Sequence, residues 1–265
     1  MEANQNIALF GQDLHIKTDR VFHVTVGSLQ LWIEKNGNEW QVAYQHDVNT
    51  EDRPLVSNEV AKPNDLSWHR WIVSGEEKDA KLLPLLPDRA VVVRPESPVF
   101  VQPGQSTMFY IGVPIWVAVS VGQEAIRLCE LPSVKLSKSW FGTPTDGEPC
   151  YAMRTWARQR PEQLMPRPHR AICPVQIRNI SSDVLDFERI RVRCQHLNLY
   201  KGKRRLWSNA VRLSYRGQNQ WSRVVYAGGP PNIDDTLTLL SPARESAGRG
   251  LLETSFQRLR GRGTS

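Results

Sequence analysis

The chain has 265 residues, is 40% hydrophobic and 23% charged, and carries a formal net charge of +7. That composition fits an ordinary soluble globular protein of one large domain or two smaller ones, long enough to bury a core without disulfide or metal staples. The longest apolar run, Phe109 to Val121, is 13 residues with Pro114 inside it, too short for a membrane-spanning helix of about 20 residues.

The first 150 residues hold 13 Lys and Arg against 19 Asp and Glu, and the remainder hold 21 against 8. An acidic half joined to a basic half predicts an anionic partner for the second half, or association between copies. The start, MEANQNIALFGQDLHIKTDR, lacks the basic and apolar regions of a secretory signal, so the default expectation is cytosolic. Cys129, Cys150, Cys173 and Cys194 are widely spread, without a CxxC or metal-type spacing, and free thiols are expected.

In chain order the pattern is mostly β. β-Branched and aromatic residues flank Asn36-Gly37-Asn38, which predicts a hairpin. The segment NTEDRPLVSNEVAKPND from Asn49 to Asp65 is polar and proline-containing, and a loop is expected there. LSWHRWIVSG predicts a strand with Trp68 and Trp71 on opposite faces. From Asp79 to Ser137, seven prolines (Pro84, Pro87, Pro95, Pro98, Pro103, Pro114 and Pro132) exclude long helices, and short strands are expected between them.

The stretch KLSKSWFGTPTDGEPCYAMRTWAR, Lys135 to Arg158, concentrates turn formers, aromatics and polar residues. One reading is catalytic, with Ser137 or Cys150 as nucleophile and Asp146 or Glu148 as orienting acid. That chemistry needs a histidine within hydrogen-bond reach, and the nearest in sequence is His169. No G-x-S-x-G elbow is present. The other reading is a loop shaped by Gly142, Pro144 and Gly147, with Trp140 and Phe141 as hydrophobic plugs beneath it. CYAMRTWARQR alternates as a strand or a short helix, and RPEQLMPRPHR is a connector.

Beyond it, VQIRNISSDVLDFERIRVRC predicts two strands joined by a polar turn, and YKGKRRLW a hairpin tip with Gly202 at its apex. Lys201, Lys203, Arg204, Arg205, Arg212, Arg216 and Arg223 alternate with Trp207, Tyr215, Trp221 and Tyr226. Cations beside aromatics suit nucleic acids or another anionic surface; on a strand the same alternation also describes a core face and a solvated basic face. At the end, Leu252, Phe256 and Leu259 fall on one face of a short amphipathic helix, with Arg258, Arg260 and Arg262 as electrostatic contacts for a partner groove. His23, His46 and His69 lack ligand spacing, and no phosphate-binding glycine loop is present, so no metal and no cofactor are expected.

The run VFVQPGQSTMFYIGVPIWVAVSVG, followed by Leu136-Ser137, Trp140-Phe141-Gly142, Gly147-Glu148 and Cys150-Tyr151-Ala152, resembles an uncharacterised bacterial and archaeal family, domain of unknown function 432. The resemblance covers roughly residues 90 to 225. It brings no catalytic residues. It implies a soluble accessory to a membrane protein such as a small mechanosensitive channel, peripheral to the inner membrane face.

The sequence therefore predicts an all-β protein of two sandwich-like domains or layers, 1–90 (acidic) and 91–240 (basic), with a linker and short amphipathic helix over 241–265. The expected function is a non-enzymatic interaction module with a protein partner. Its contact residues would be Trp140, Phe141, Asp146, Glu148 and Tyr151 in the loop, the basic face, and the tail. Nucleic-acid or anionic-lipid binding by the basic half is the alternative, a hydrolase using the 136–150 loop is a third reading, and a homo-oligomer stays open.

Overall fold

The computed structural model describes residues 7–18, 20–47, 55–74, 79–122, 125–145, 147–217, 222–233 and 236–247, with backbone alone for residue 154 and for 251–253 and 256–257. The architecture is all β. Among the described residues the helical turns are three single 3-10 turns, Ile7–Leu9, Pro161–Gln163 and Cys194–His196. None of the described helices is long and apolar enough to cross a membrane.

An antiparallel five-stranded sheet runs in the order Val56–Val60, Val21–Val26, Leu29–Asn36, Glu39–His46, Trp68–Ile72. Gly37 at φ 61° turns the expected hairpin, a conformation that costs glycine little. Trp68 packs on Val21, Trp32 and Ala43, whereas Trp71 packs on the main core, so the two indoles do occupy opposite faces. The polar segment expected as a loop contains the edge strand Val56–Val60. All but its last residue are exposed, and within the strand Val60 alone packs on Val21, Trp32 and Ala43, so little hydrophobic alternation announces the strand.

Asp79–Leu85 pairs with Asp13–His15 on one side and with Trp116–Val121 on the other, and Ile126–Pro132 completes that sheet. The pairing joins segments on both sides of residue 90. One continuous cluster of buried apolar side chains runs from Ile7 to Val224. Charge is shared across the chain as well. Arg158 pairs with Glu96, Arg191 and Arg193 with Glu148, and Arg244 with Glu130.

The central sheet is organised by Arg170–Asn179. It pairs antiparallel with Ser106–Pro114 along nine register positions, and parallel with Leu206–Ser208 near its start and Val211–Tyr215 near its end. Side-chain alternation divides it cleanly. Phe109, Ile111, Val113, Cys173, Val175, Ile177, Val211 and Leu213 point into the core. The alternate positions form the opposite face. The tip Leu199–Lys201 to Leu206–Ser208 closes with the Gly202 amide donating to the Arg205 carbonyl at 2.9 Å, as the glycine predicts.

The dense stretch from Lys135 is a hairpin of Ser137–Phe141 and Glu148–Ala157, not an irregular loop. Glu148–Ala157 then runs parallel to Ala90–Pro95, which pairs with Arg189–Arg193. A register shift falls between Ala152 and Trp156.

The described residues of the tail form strands and not the expected C-terminal helix. Leu251–Glu253 pairs with Ser222–Tyr226, and Phe256–Gln257 pairs with Arg189–Arg193. Helix nucleation is costly in a short segment, while two open sheet edges offer backbone partners at once. Leu252 and Phe256 are thus strand residues; Arg258, Leu259, Arg260 and Arg262 lie outside the described residues.

Candidate functional site: an arginine-lined cleft

Where Glu148–Ala157 leaves its sheet, Arg158 bridges to the edge of the central sheet. Its amide and carbonyl exchange hydrogen bonds with Tyr110 at 3.0 and 2.7 Å. The proline-punctuated connector 161–168 then crosses in front of the central sheet before Arg170 enters it. A cleft of about 270 Å³ opens between these pieces. Its floor is Gly112 and Ile172, directly opposite each other in register. Leu164 lines it, and Trp156 (45% exposed) and Met165 (70% exposed) form an apolar lip.

Four guanidinium groups line this space, those of Arg158, Arg167, Arg170 and Arg205, and no carboxylate is among the lining residues. Arg158 is balanced by Glu96. Arg170 is buried and donates to the Gly112 carbonyl at 3.2 Å. Arg205 donates to the Pro161 carbonyl at 2.7 Å, which ties the hairpin tip to the connector. Burial works against the charge of Arg205, and nearby Glu162 offsets part of that effect. The Thr155 hydroxyl oxygen is buried in the lining without a hydrogen-bond partner among the described residues. A concave, partly apolar space with several converging donors is the usual form of a small-ligand site.

The positive field is felt behind the cleft. His169 is fully buried, packed where Gly27 approaches it without a side chain, and neither ring nitrogen has a partner among the described residues. Burial first, and then the charges of Arg170 and Arg167, push its pKa down to about 3.

Basic residues recur on the same side of the central sheet beyond the cleft, past a buried stretch at Ile172 and Pro174. That side of the strand carries Arg170, Ile172, Pro174, Gln176 and Arg178 in alternation; the first three are buried, Gln176 is half-buried and Arg178 is exposed. Gln176 aligns with Met108 and Arg212, and Arg178 with Ser106 and Ser214; Ser214 in turn aligns with Arg223. Arg178, Arg212 and Arg223 are exposed. From Arg170 to Arg178 the strand rises about 26 Å at roughly 3.3 Å per residue.

The basic residues expected from sequence are therefore divided. Arg212 and Arg223 share the sheet face, with Arg216 exposed just past its strand, and Arg205 reaches the cleft. Lys203 and Arg204 are exposed at the hairpin tip and Lys201 is half-buried beside it. Sequence reasoning missed Trp156, Arg158, Arg167, Arg170 and Arg178. The signal available was density: five arginines, Arg154, Arg158, Arg160, Arg167 and Arg170, fall in one stretch of strand end and connector.

The residues expected to form a binding loop point in different directions. Phe141 is buried against Ala90, Val92 and Cys150, with the Arg191 guanidinium 5.1 Å from its ring centre. Trp140 is no plug: it is 48% exposed, and its Nε1 donates to the Thr143 carbonyl at 2.9 Å, closing the turn over Gly147. Glu148 holds Arg191 at 2.9 Å and Arg193 at 2.8 Å. Tyr151 faces the other side of the sheet, packs on Trp116 and donates to Asp88 at 2.9 Å; burial and Asp88 push its pKa up to about 12. Asp146 lies outside the described residues.

Among the described residues, no hydrogen bond joins a histidine to Ser137 or Cys150. The Cys150 thiol is buried, and that burial together with Glu148 raises its pKa. Cys129, Cys150, Cys173 and Cys194 are free thiols. No group of three or more His, Cys, Asp or Glu among the described residues is placed to hold a metal ion.

Fold and site together define an all-β protein with an arginine-lined cleft and a basic stretch of sheet beyond it. A family model described as a protein of unknown function, DUF432, matches residues 10–260, and the chain belongs to that family. The match extends well beyond residues 90 to 225, taking in the N-terminal sheet and the paired tail. Neither a curated protein nor a solved structure matches the chain.

Proposed function

We propose that this protein is a non-catalytic recognition module that binds an anionic ligand in the cleft, with the basic sheet face as an extended contact surface. The observation that carries this reading is the convergence of Arg158, Arg167, Arg170 and Arg205 from three chain segments on one apolar-lipped space. Guanidinium groups held by carbonyl contacts and packing are preorganised, so little side-chain entropy is lost when an anion arrives. An accessory role beside a membrane protein belongs to the same proposal: ligand occupancy would then be what the module reports to its partner.

The test is thermal stability in increasing inorganic phosphate. An anion that binds only the folded chain stabilises it by RT ln(1 + [L]/Kd), about 2.7 kcal/mol at a hundredfold excess over Kd. The double variant Arg167→Gln/Arg205→Gln should lose that rise. If wild type shows no rise beyond that given by chloride at equal ionic strength, or if the double variant keeps the rise in full, the cleft is not an anion site.

A second reading is supported by the exposed row of Arg178, Arg212 and Arg223: polyanion binding by the sheet face alone. It predicts an affinity that falls steeply with salt. It also predicts an affinity insensitive to Arg167 and Arg205.

A further inference from the structure

We infer that the ligand of the cleft is a nucleoside phosphate unit, its phosphate on the arginines and its base on Trp156. This rests on the anion-binding reading and adds the chemistry of the ligand's other half. An inorganic anion needs only the guanidinium groups. The cleft also offers a half-exposed indole at its mouth, a flexible thioether on the lip, and Leu164 and Ile172 inside. Those surfaces are wasted on a bare anion and are suited to a flat, weakly polar ring. Stacking on an aromatic side chain is tolerant of which base is present, and a thioether adapts to irregular shapes.

Size narrows the ligand. A cleft of about 270 Å³ falls just below the usual range of ligand sites, roughly 300–1,000 Å³, and leaves room for one nucleotide unit, not several. Donor chemistry narrows it further. Arginine forks match phosphate oxygens two at a time. The buried Thr155 hydroxyl lacks a partner among the described residues and can accept or donate one hydrogen bond to a sugar hydroxyl or phosphate oxygen.

The unit has two sources, a free mononucleotide or the 5′-phosphorylated end of a single strand. The second would find further basic contacts past the buried Ile172 and Pro174: Arg212, level with Gln176 and about 20 Å along the strand from Arg170, then Arg178 and Arg223 at about 26 Å.

The experiment is titration of the full chain with four probes, followed by tryptophan fluorescence and calorimetry. The probes are inorganic phosphate, adenosine 5′-monophosphate, a 5′-phosphorylated hexanucleotide, and vesicles of mixed anionic and zwitterionic phospholipid. The expected result is that the mononucleotide binds about tenfold or more tighter than phosphate, the increment of one stacked base. Trp156→Leu should remove that increment and leave phosphate affinity in place, which also shows that the variant folds. Equal affinity for mononucleotide and hexanucleotide assigns the free nucleotide. A tighter hexanucleotide, whose gain disappears in Arg178→Gln/Arg212→Gln/Arg223→Gln, assigns the strand end.

If phosphate binds and the mononucleotide binds no tighter, or if Trp156→Leu leaves the increment intact, the nucleotide inference falls while the anion reading stands. If neither phosphate nor nucleotide binds, both fall. Binding to the vesicles alone overturns the inference in favour of a lipid headgroup surface.

Discussion

His169 makes the fold sensitive to acid, and the effect has a calculable size. The imidazole has no exposed surface, neither ring nitrogen has a partner among the described residues, and two arginines lie close to it. Its pKa in the folded chain is about 3, against 6.5 for an ordinary histidine. The unfolded chain therefore takes up a proton below pH 6.5 that the folded chain refuses until about pH 3. The stability contribution is complete above pH 6.5 and is lost progressively as pH falls through that window. Each unit of pH within it is worth about 1.4 kcal/mol, so between pH 6.5 and 4.5 this one residue removes about 2.7 kcal/mol, a large share of a typical stability. Urea unfolding at pH 7.5 and 4.5 measures the loss directly. In His169→Leu the loss over the same interval should be smaller by about that amount, whatever the absolute stability of the variant, because other titrating groups cancel in the comparison. An equal loss in the variant and the wild type would refute the account, as would a His169 ring resonance that titrates near pH 6.

Three further perturbations test the packing around the site and the tail. Glu148→Ala leaves Arg191, 6% exposed, and Arg193 without their shared carboxylate. Because Glu148 is itself 31% exposed, the cost should sit at the low end for a broken buried pair, about 3 kcal/mol, and adding Arg191→Met should recover part of it in a double-mutant cycle. Gly147→Ala would set a methyl 1.9 Å from Trp140 Nε1 and 2.7 Å from the Thr143 carbonyl. It should cost about 1–3 kcal/mol of overpacking in chemical denaturation and shift the Trp140 emission as its turn contact opens. Ending the chain at Ala247 removes both tail strands and opens the edges of Ser222–Tyr226 and Arg189–Arg193. Light scattering after gel filtration should then show concentration-dependent self-association that the full chain does not.

Where the chain was legible, a local rule acted alone. Asn36-Gly37 turned as expected because positive φ is cheap for glycine and both flanking strands bury one face. The alternation from Tyr151 to Ala157 was a strand for the same kind of reason. The failures share a cause as well. Val56–Val60 is polar because it is an edge strand whose first four residues are exposed, with only Val60 packed against the sheet. Leu252 and Phe256 had helical spacing, but the competing partners were sheet edges at residues 189–193 and 222–226, which no window of ten residues can contain. Trp140 was expected beneath its loop; a hairpin alternates its neighbours, so burial of Phe141 turns Trp140 outward.

The cleft was illegible for a different reason, and that reason bears on its use. None of its arginines belongs to a motif. Arg158 stands where a strand has slipped register and left its sheet, Arg167 on a connector kept out of helix by prolines, Arg170 at the first position of a strand, and Arg205 at a hairpin tip. Each is unremarkable locally, and cationic side chains at strand ends usually point into water. Here the Arg158 bridge to Tyr110 and the Arg205 contact with Pro161 draw the segments together, so that like charges share one small space. Glu96 beside Arg158 and Glu162 near Arg205 balance part of that charge, and an anion entering the space would add to that balance. The same field depresses the pKa of His169, so an anion seated among the arginines should raise that pKa and blunt the acid sensitivity derived above. Occupancy of the cleft and protonation of a histidine buried behind it are therefore coupled through charge alone. A His169 titration in the presence and absence of ligand would show the coupling as an upward shift. A pKa that does not move while ligand is bound would place the anion away from Arg167 and Arg170.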